Sequence, residues 1–557
     1  MTGMTDTRRA VLWGVFSVSL VMLWDGWSKH NGQPSMFDPP KPAVTAPAQT
    51  TTAGVPAAGA ASAVAGAVGL PAASPAVPSS EKVEITTDLV RATFDTRGGS
   101  LVRMALPRYK DETDPTKPVM LFEQTGERVY QADSGLIPRL AGEAALPNHL
   151  TVMQLLPGPR TLADGQNALT LTFESPEQGG VKLRKSYTFQ RGDYAIKVRH
   201  EVINGTAAPV SPQLYLQLSR DGHVPSTSVF MGPAAFTGPA VYTEQGKFQK
   251  VEYADIEKGK AEHDKTANNG WIAMVQHHFV GAWLVGTPSE RSFQSKREGT
   301  NLYSMAMTLP LAPVAAGATQ AVDSVLYAGP QEEKKLEALA PGLELVKDYG
   351  WVTILAKPLF WLLDKLHGMI GNWGWAIVGL VVLLKIAFYW LNASAYRSMG
   401  KMKAVNPKVA EIRERYKADP QKMQQEMMRI YREEKINPLG GCLPIFVQMP
   451  FFIALYSVLL ASVEMRGAPW IGWITDLSVQ DPYYILPALM TASTLFQTWL
   501  NPTPPDPMQA KMMWIMPLVF SVMFLFFPAG LVLYWFVNNL LGIAQQWMIN
   551  RQLGLNR

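Results

Sequence analysis

A lysine stands where a charge is least at home. Lys385 lies inside Gly379-Leu-Val-Val-Leu-Leu-Lys-Ile-Ala-Phe-Tyr-Trp390, an otherwise apolar run. A charge at the centre of a membrane helix costs about 2.5–3.5 kcal/mol on insertion scales, so by default it faces a wet cavity or a partner. The competing reading is that its long stem snorkels to the headgroups, because Lys385 lies toward one end of the run. The residues alone leave both open. Further apolar segments carry Gln448, Gln497, Asn538, Asn539, Gln545 and Gln546. Singly, each reads as an interhelical hydrogen bond worth at most about 1–2 kcal/mol. Together with Lys385, and with no carboxylate in the same segments, they suit a polar chamber of unpaired positive charge. Such a chamber attracts acidic or polar chain entering a bilayer, whereas a proton relay uses intramembrane carboxylates or histidines.

Signals for covalent chemistry are missing. There is no H-E-x-x-H, no G-x-S-x-G, no Walker A loop and no G-x-G-x-x-G between a strand and a helix. His277-His278 falls in a strand-like run, where neighbours face opposite sides, while zinc needs three or four converging ligands. The single cysteine, Cys442, excludes an intrachain disulfide and a cysteine-based structural zinc site. No catalytic residue, metal or cofactor is assigned, and the expectation is a protein that is not an enzyme.

The elements that hold these residues emerge from composition. The 557 residues carry 50 Lys+Arg against 45 Asp+Glu, and mean hydropathy is +0.01. That mean averages unlike halves: from Trp351 onward there are 18 basic and 11 acidic residues, before it 32 and 34. Residues 1–30 hold an apolar run, Val11–Trp24, behind Arg8 and Arg9. No small-residue cleavage pattern follows, which favours an uncleaved signal anchor over a cleaved signal peptide. Residues 31–80 are rich in Ala and Pro and read as a flexible linker. Residues 81–330 alternate with period two: Tyr194, Ile196, Val198 and Val202 on one face, Lys197, Arg199 and Glu201 on the other. Many such short runs predict a large β-sandwich.

Residues 331–372 include Trp351–Ile370, apolar at helical spacing but interrupted by Lys357, Pro358, Asp364 and Lys365. This predicts an amphipathic helix on the outer membrane surface rather than a further span. Residues 373–550 contain five candidate spans: Trp373–Leu391, Cys442–Val463, Tyr483–Leu500, Met512–Phe527 and Leu531–Ile549. Only helices can present such segments to lipid. With the anchor, the fold class is a six-span α-helical membrane protein bearing a large all-β domain.

Charge sets the topology. The loop Arg397–Lys435 holds 11 basic and 6 acidic residues, which places it in the cytoplasm. Both termini, including the short tail 551–557, are then cytoplasmic and the β-domain lies outside. Within 397–436, Met399, Met402, Val405, Val409, Ile412 and Tyr416 form a heptad-like seam that resumes at Met423, Met427, Ile430 and Tyr431. An antiparallel helical hairpin follows. Its basic face either fixes orientation alone or also meets ribosomal RNA, anionic lipid or an acidic partner.

Longer motifs now resemble a known family. Asn437-Pro-Leu-Gly-Gly-Cys-Leu-Pro-Ile-Phe-Val-Gln-Met-Pro-Phe451 and Phe527-Pro-Ala-Gly-Leu-Val-Leu-Tyr534 are similar to signatures of the YidC membrane protein insertases, relatives of the Oxa and Alb types. Asp481-Pro-Tyr-Tyr-Ile-Leu-Pro487 and Asp506-Pro-Met508 match as well, and the overall layout resembles the Gram-negative form. The resemblance implies insertion and chaperoning of inner-membrane proteins, alone or with the Sec translocon. It implies a five-helix core whose groove opens to cytoplasm and lipid, and an outer domain like a β-supersandwich in the periplasm. Lys385 takes the place of the family's groove cation, beside Gln448, Gln497, Asn538, Asn539, Gln545 and Gln546. The third and fifth spans are implied to form a greasy slide for the substrate helix. Recruitment by the hairpin is implied for Met402, Lys403, Lys408, Arg413, Arg415, Lys417, Lys422, Met427 and Arg429. Nascent membrane proteins, the Sec translocon, the ribosome, the signal recognition particle receptor and membrane lipids are the implied partners, with no sequence-specific nucleic-acid binding. Trp390 stands where the family commonly has proline, which leaves a kink there in question. A secondary transporter or channel using the same groove is the alternative.

Overall fold

The computed structural model describes residues 80–111, 114–140, 143–224, 236–417, 419–434, 443–501 and 507–552. The expected anchor, nearly all of the linker, Cys442 and the end of the tail lie outside them.

Two nine-stranded antiparallel sheets form the first half. One runs, in spatial order, Lys82–Thr86, Arg91–Asp95, Ser100–Lys110, Pro118–Gln124, Val129–Ile137, Gln213–Asp221, Leu302–Pro310, Arg291–Gly299 and Thr266–Ala267. The other runs Lys247–Lys250, Gly238–Thr243, Trp271–Val275, Phe279–Leu284, Thr319–Pro330, Ala195–Asn204, Val181–Gln190, Ala168–Glu174 and Gln154–Leu155. Strict alternation holds where one face meets solvent, as in Val181–Gln190. Trp271–Val275 and Phe279–Leu284 are buried at every position. The segment after the last strand covers them: Trp271 donates its indole N–H to the Pro341 carbonyl at 3.0 Å.

Both sheets share one apolar core. Phe94 from the first packs its ring 4.7 Å from Tyr187 and 5.9 Å from Phe173 of the second. Inside it, Lys185 is fully buried and donates to the carbonyls of Gly98 and Ser134, each at 2.6 Å. His200 lies 2.9 Å from the Ser134 hydroxyl. Burial brings the Lys185 ammonium down to about 7 and His200 down to about 3.

Ten described helices are labelled in chain order. α1 (Tyr253–Glu257) and α2 (Glu333–Leu339) belong to the sheet domain. α3 (Thr353–Ile370), α4 (Trp373–Ala387), α5 (Tyr389–Arg415), α6 (Pro420–Glu433), α7 (Leu443–Ala461), α8 (Ile485–Leu500), α9 (Pro507–Phe524) and α10 (Ala529–Gln552) follow. No single described helix is long and apolar enough to cross a membrane, but α4 and α5 to Met402 are so as a pair, bent by 68°.

Two details differ from the sequence expectation. His277 and His278 do not sit on opposite faces of a strand. They occupy the turn between two strands, with their rings stacked at 3.9 Å. The run Trp373–Leu391 is not one helix but breaks at Phe388, whose backbone leaves the helical region at φ −93°, ψ 12°. No proline stands at the break, and Gln545 of α10 donates to the Tyr389 carbonyl just past it at 3.2 Å. α5 then runs unbroken into the first arm of the hairpin.

Candidate functional site

Three helix faces bring the polar residues together. On α4 and α5, Lys385, Tyr389, Asn392 and Tyr396 recur at helical spacing. On α8 the matching stripe is Ser493, Thr494 and Gln497, with Asn501 just past its end, and on α10 it is Asn539, Gly542, Gln545 and Gln546. Gly542 is the meeting point. A Cβ built there would lie 3.3 Å from the Gln497 amide nitrogen, 3.3 Å from the Tyr396 hydroxyl and 3.6 Å from Lys385 Nζ. Glycine thus leaves the space in which these three side chains converge. Lys385 makes no ion pair or hydrogen bond among the described residues.

Around this point the amides tie helices to one another. Asn539 donates to the Ser493 and Thr494 hydroxyls at 3.2 and 2.7 Å, and both hydroxyls donate onward to the Met490 carbonyl. Gln546 donates to Asn501 at 3.0 Å, and Gln448 of α7 donates to Asn392 at 3.3 Å. Two polar atoms of this seam, Asn392 Nδ2 and Gln546 Oε1, are buried without a partner among the described residues. Of the residues singled out by sequence, Gln497 shares with Lys385 the space beside Gly542. Gln448, Asn539, Gln545 and Gln546 join the seam, and Asn538 is half-buried with no hydrogen bond among the described residues. Asn392, Tyr396 and Gly542 were not anticipated. Their helical spacing from Lys385 and Gln546 was the available signal.

At the opposite end of the helices, hydrogen bonds tie the helix starts to the loops between them. The backbone N–H groups of Ala529 and Gly530, opening α10, donate to the Val479 and Leu477 carbonyls at 2.7 and 2.9 Å. Asn372 caps α4 through the Trp375 N–H and donates to the Pro469 and Trp470 carbonyls. Asp481 accepts from Trp473 Nε1 at 3.0 Å and from the Tyr483 and Leu486 N–H groups at 3.0 and 2.7 Å. α3 turns Ala356, Leu359, Phe360 and Leu363 inward and leaves Ile354, Trp361 and Met369 exposed, so it is apolar on both sides.

The hairpin packs as two arms. Val405 and Val409 are buried against Met427, Ile430 and Tyr431, with Met402 alongside. Much of its charge is internally matched. Lys408 pairs with Glu434 at 2.6 Å, Lys417 with Glu414 at 3.1 Å and Arg429 with Glu426 at 2.8 Å. Lys422 lies 5.5 Å from the Tyr416 ring centre. Arg415 is exposed and Arg413 half-buried. Lys403 falls on α5, its side chain outside the described residues.

Comparison with known proteins accounts for the whole described chain. Residues 82–362 match the YidC periplasmic domain family and residues 365–555 the 60Kd inner membrane protein family. The membrane protein insertase YidC of Cupriavidus necator is 56% identical over 556 residues, covering 99% of this chain and 98% of that one. Its counterpart from Ralstonia nicotianae is 53% identical, covering 99% of each. A crystal structure of an active YidC insertase with its first transmembrane domain resolved is 19% identical with a TM-score of 0.41, covering 84% of this chain and 92% of that chain. With its sheet domain and its helical half each matched and more than half its residues shared along the full length, the chain belongs to the YidC family of membrane protein insertases.

Proposed function

We propose that this chain inserts and chaperones proteins of the bacterial inner membrane by receiving their hydrophilic flanks around Lys385. The observation that carries the reading is an ammonium beside Gly542, sharing its space with one amide and one hydroxyl and with no carboxylate paired to it among the described residues. A carboxylate 4 Å from such an ammonium is attracted by about 4 kcal/mol at an effective dielectric of 20. Placing an aspartate at mid-membrane costs about 2.5–3.5 kcal/mol, so one such contact offsets it. The flank enters partway and its remaining path through hydrocarbon shortens, while the apolar segment leaves along α7 and α9 into lipid. No bond is made or broken.

In this reading the core has five spans and the anchor a sixth, with both termini cytoplasmic and the supersandwich-like domain periplasmic. α3 lies on the outer leaflet, which its exposed Trp361 and Ile354 favour. The hairpin, through Met402, Lys403, Lys408, Arg413, Arg415, Lys417, Lys422, Met427 and Arg429, recruits substrate, and the ribosome, the signal recognition particle receptor and the Sec translocon are partners of the chain. Arg415 and Lys422 are the stronger candidates there, since Lys408, Lys417 and Arg429 already hold carboxylates.

Reconstituted protein tests the groove. Lys385→Arg is expected to insert a substrate with an acidic translocated flank and Lys385→Glu to fail. Photocrosslinkers at Gln448 or Asn538 are expected to capture a stalled nascent membrane protein. Equal insertion by the Arg and Glu variants refutes the role of groove charge.

A further inference from the structure

The outward end of α7 does not simply turn into a loop. It enters the sheet domain. Val463, just beyond the helix, is 1% exposed and belongs to the same apolar cluster as the sheet core. The next residue, Glu464, meets Lys347 with both carboxylate oxygens, each 3.0 Å from Nζ. Arg466 reaches across to donate to the Lys110 carbonyl at 2.7 Å and lies 5.7 Å from the Phe279 ring centre.

Lys347 is the hub of this junction. Its side chain is 1% exposed. Besides Glu464 it faces Glu333 of α2 at 3.9 Å, and it sits 3.7 Å over the Phe360 ring of α3. One ammonium therefore joins the sheet domain's last helix, the surface helix and the end of α7. A buried ammonium so held fixes geometry, because any movement of one element strands a charge away from water. At its other end α7 presents Gln448 to Asn392 in the polar seam, about 20 Å away at 1.5 Å per residue. A tilt of α7 at the clamp is thus transmitted to the wall of the groove.

We infer that Lys347 and Glu464 are positioning residues, a clamp by which the sheet domain sets the angle of α7 against the groove. The inference rests on the insertase reading for its consequence but not for its geometry. The sheet domain acts as an abutment for the insertion machinery, so its role is mechanical and centres on the Lys347–Glu464 pair.

Full-length protein with Cys442→Ser, spin-labelled at cysteines replacing Val447 on α7 and Lys197 on the sheet, tests the clamp by double electron–electron resonance in nanodiscs. The parent and Lys347→Arg are expected to give one narrow distance distribution. Lys347→Met and the isosteric Glu464→Gln are expected to broaden it and to slow insertion by about tenfold, equivalent to about 1.4 kcal/mol of lost positioning. Unchanged distributions in both neutral variants overturn the clamp, as does equal loss of insertion in Lys347→Arg and Lys347→Met. If Lys347→Met does not fold, Glu464→Gln decides alone, since it removes charge without volume. Absence of insertion by the parent refutes the insertase reading instead, and leaves the distance measurement to judge the clamp.

Discussion

Gly542 offers the sharpest test of the groove, because the structure fixes how much room it leaves. An alanine there places a methyl 3.3 Å from Gln497 Nε2 and the Tyr396 hydroxyl and 3.6 Å from Lys385 Nζ. The Gln497 and Lys385 atoms are the ends of flexible side chains and yield by a few tenths of an ångström. For a substrate carboxylate about 4 Å from the ammonium, a shift of about 0.3 Å weakens the attraction by about 0.3 kcal/mol at an effective dielectric of 20, less than twofold in rate. A leucine displaces the ammonium by about 2 Å, and the attraction falls from about 4 to about 2.8 kcal/mol, about a tenfold loss. Overpacking adds about 1–3 kcal/mol of instability, which thermal unfolding in detergent reports separately. The assay is insertion into proteoliposomes of two single-span substrates that differ only in an acidic or a neutral translocated flank. The ratio of their rates cancels any general damage. Gly542→Leu should reduce that ratio about tenfold and Gly542→Ala less than twofold. A ratio unmoved by leucine, or moved equally by alanine, refutes the argument that Lys385 acts through charge at this distance.

Three further outcomes follow from contacts outside that point. Gln545→Leu removes the donor from the Tyr389 carbonyl, and the 68° bend between α4 and α5 should relax toward a straighter pair, read by spin-label distances across Phe388. Asp481→Asn turns an amide N–H₂ toward one of three donors that the carboxylate now accepts, and should lower stability by about 1–3 kcal/mol with a change in Trp473 fluorescence. In the sheet domain, the folded state lowers Lys185 from 10.5 to about 7, so between those values the unfolded chain binds more protons and stability rises with pH, by up to about 1.4 kcal/mol per unit. His200, lowered from 6.5 to about 3, has the same sign in its own window: stability falls as pH drops below 6.5. Pulse proteolysis of the full chain in urea across pH 5–10 should show the upper slope and its loss in Lys185→Met.

What could be read from the sequence divides along a physical line. Polar residues inside apolar runs are visible because hydropathy alone exposes them, and of the six named beside Lys385 five share its space or join the seam around it. Alternation is legible across Tyr194–Val202 because Lys197 and Arg199 on its other face meet solvent. Trp271–Val275 is buried at every position, since the chain beyond the last strand supplies a second cover. Gly542 was passed over because a small residue in an apolar helix carries no signal until its neighbours are known. The bend at Phe388 is illegible for the same reason: no local proline announces it, and the amide that meets Tyr389 beside it, Gln545, lies far along the chain.

Lys347 and Lys385 show most clearly where sequence stops. In the sequence only Lys385 stands out, inside an apolar run, whereas Lys347 is followed directly by Asp348 and carries no such signal. Lys347 is buried against Glu464 and Glu333, so its charge is spent on holding three elements of its own fold. Lys385 is met by an amide, a hydroxyl and a glycine, none of which can neutralise it. Removing a partner from the first leaves a stranded internal charge, and the loss appears as altered geometry. Removing charge from the second strands nothing, and the loss appears only when another chain brings a carboxylate. The class of the partner therefore separates a structural cation from a working one, and partners 117 residues apart in sequence become visible only once the chain has folded.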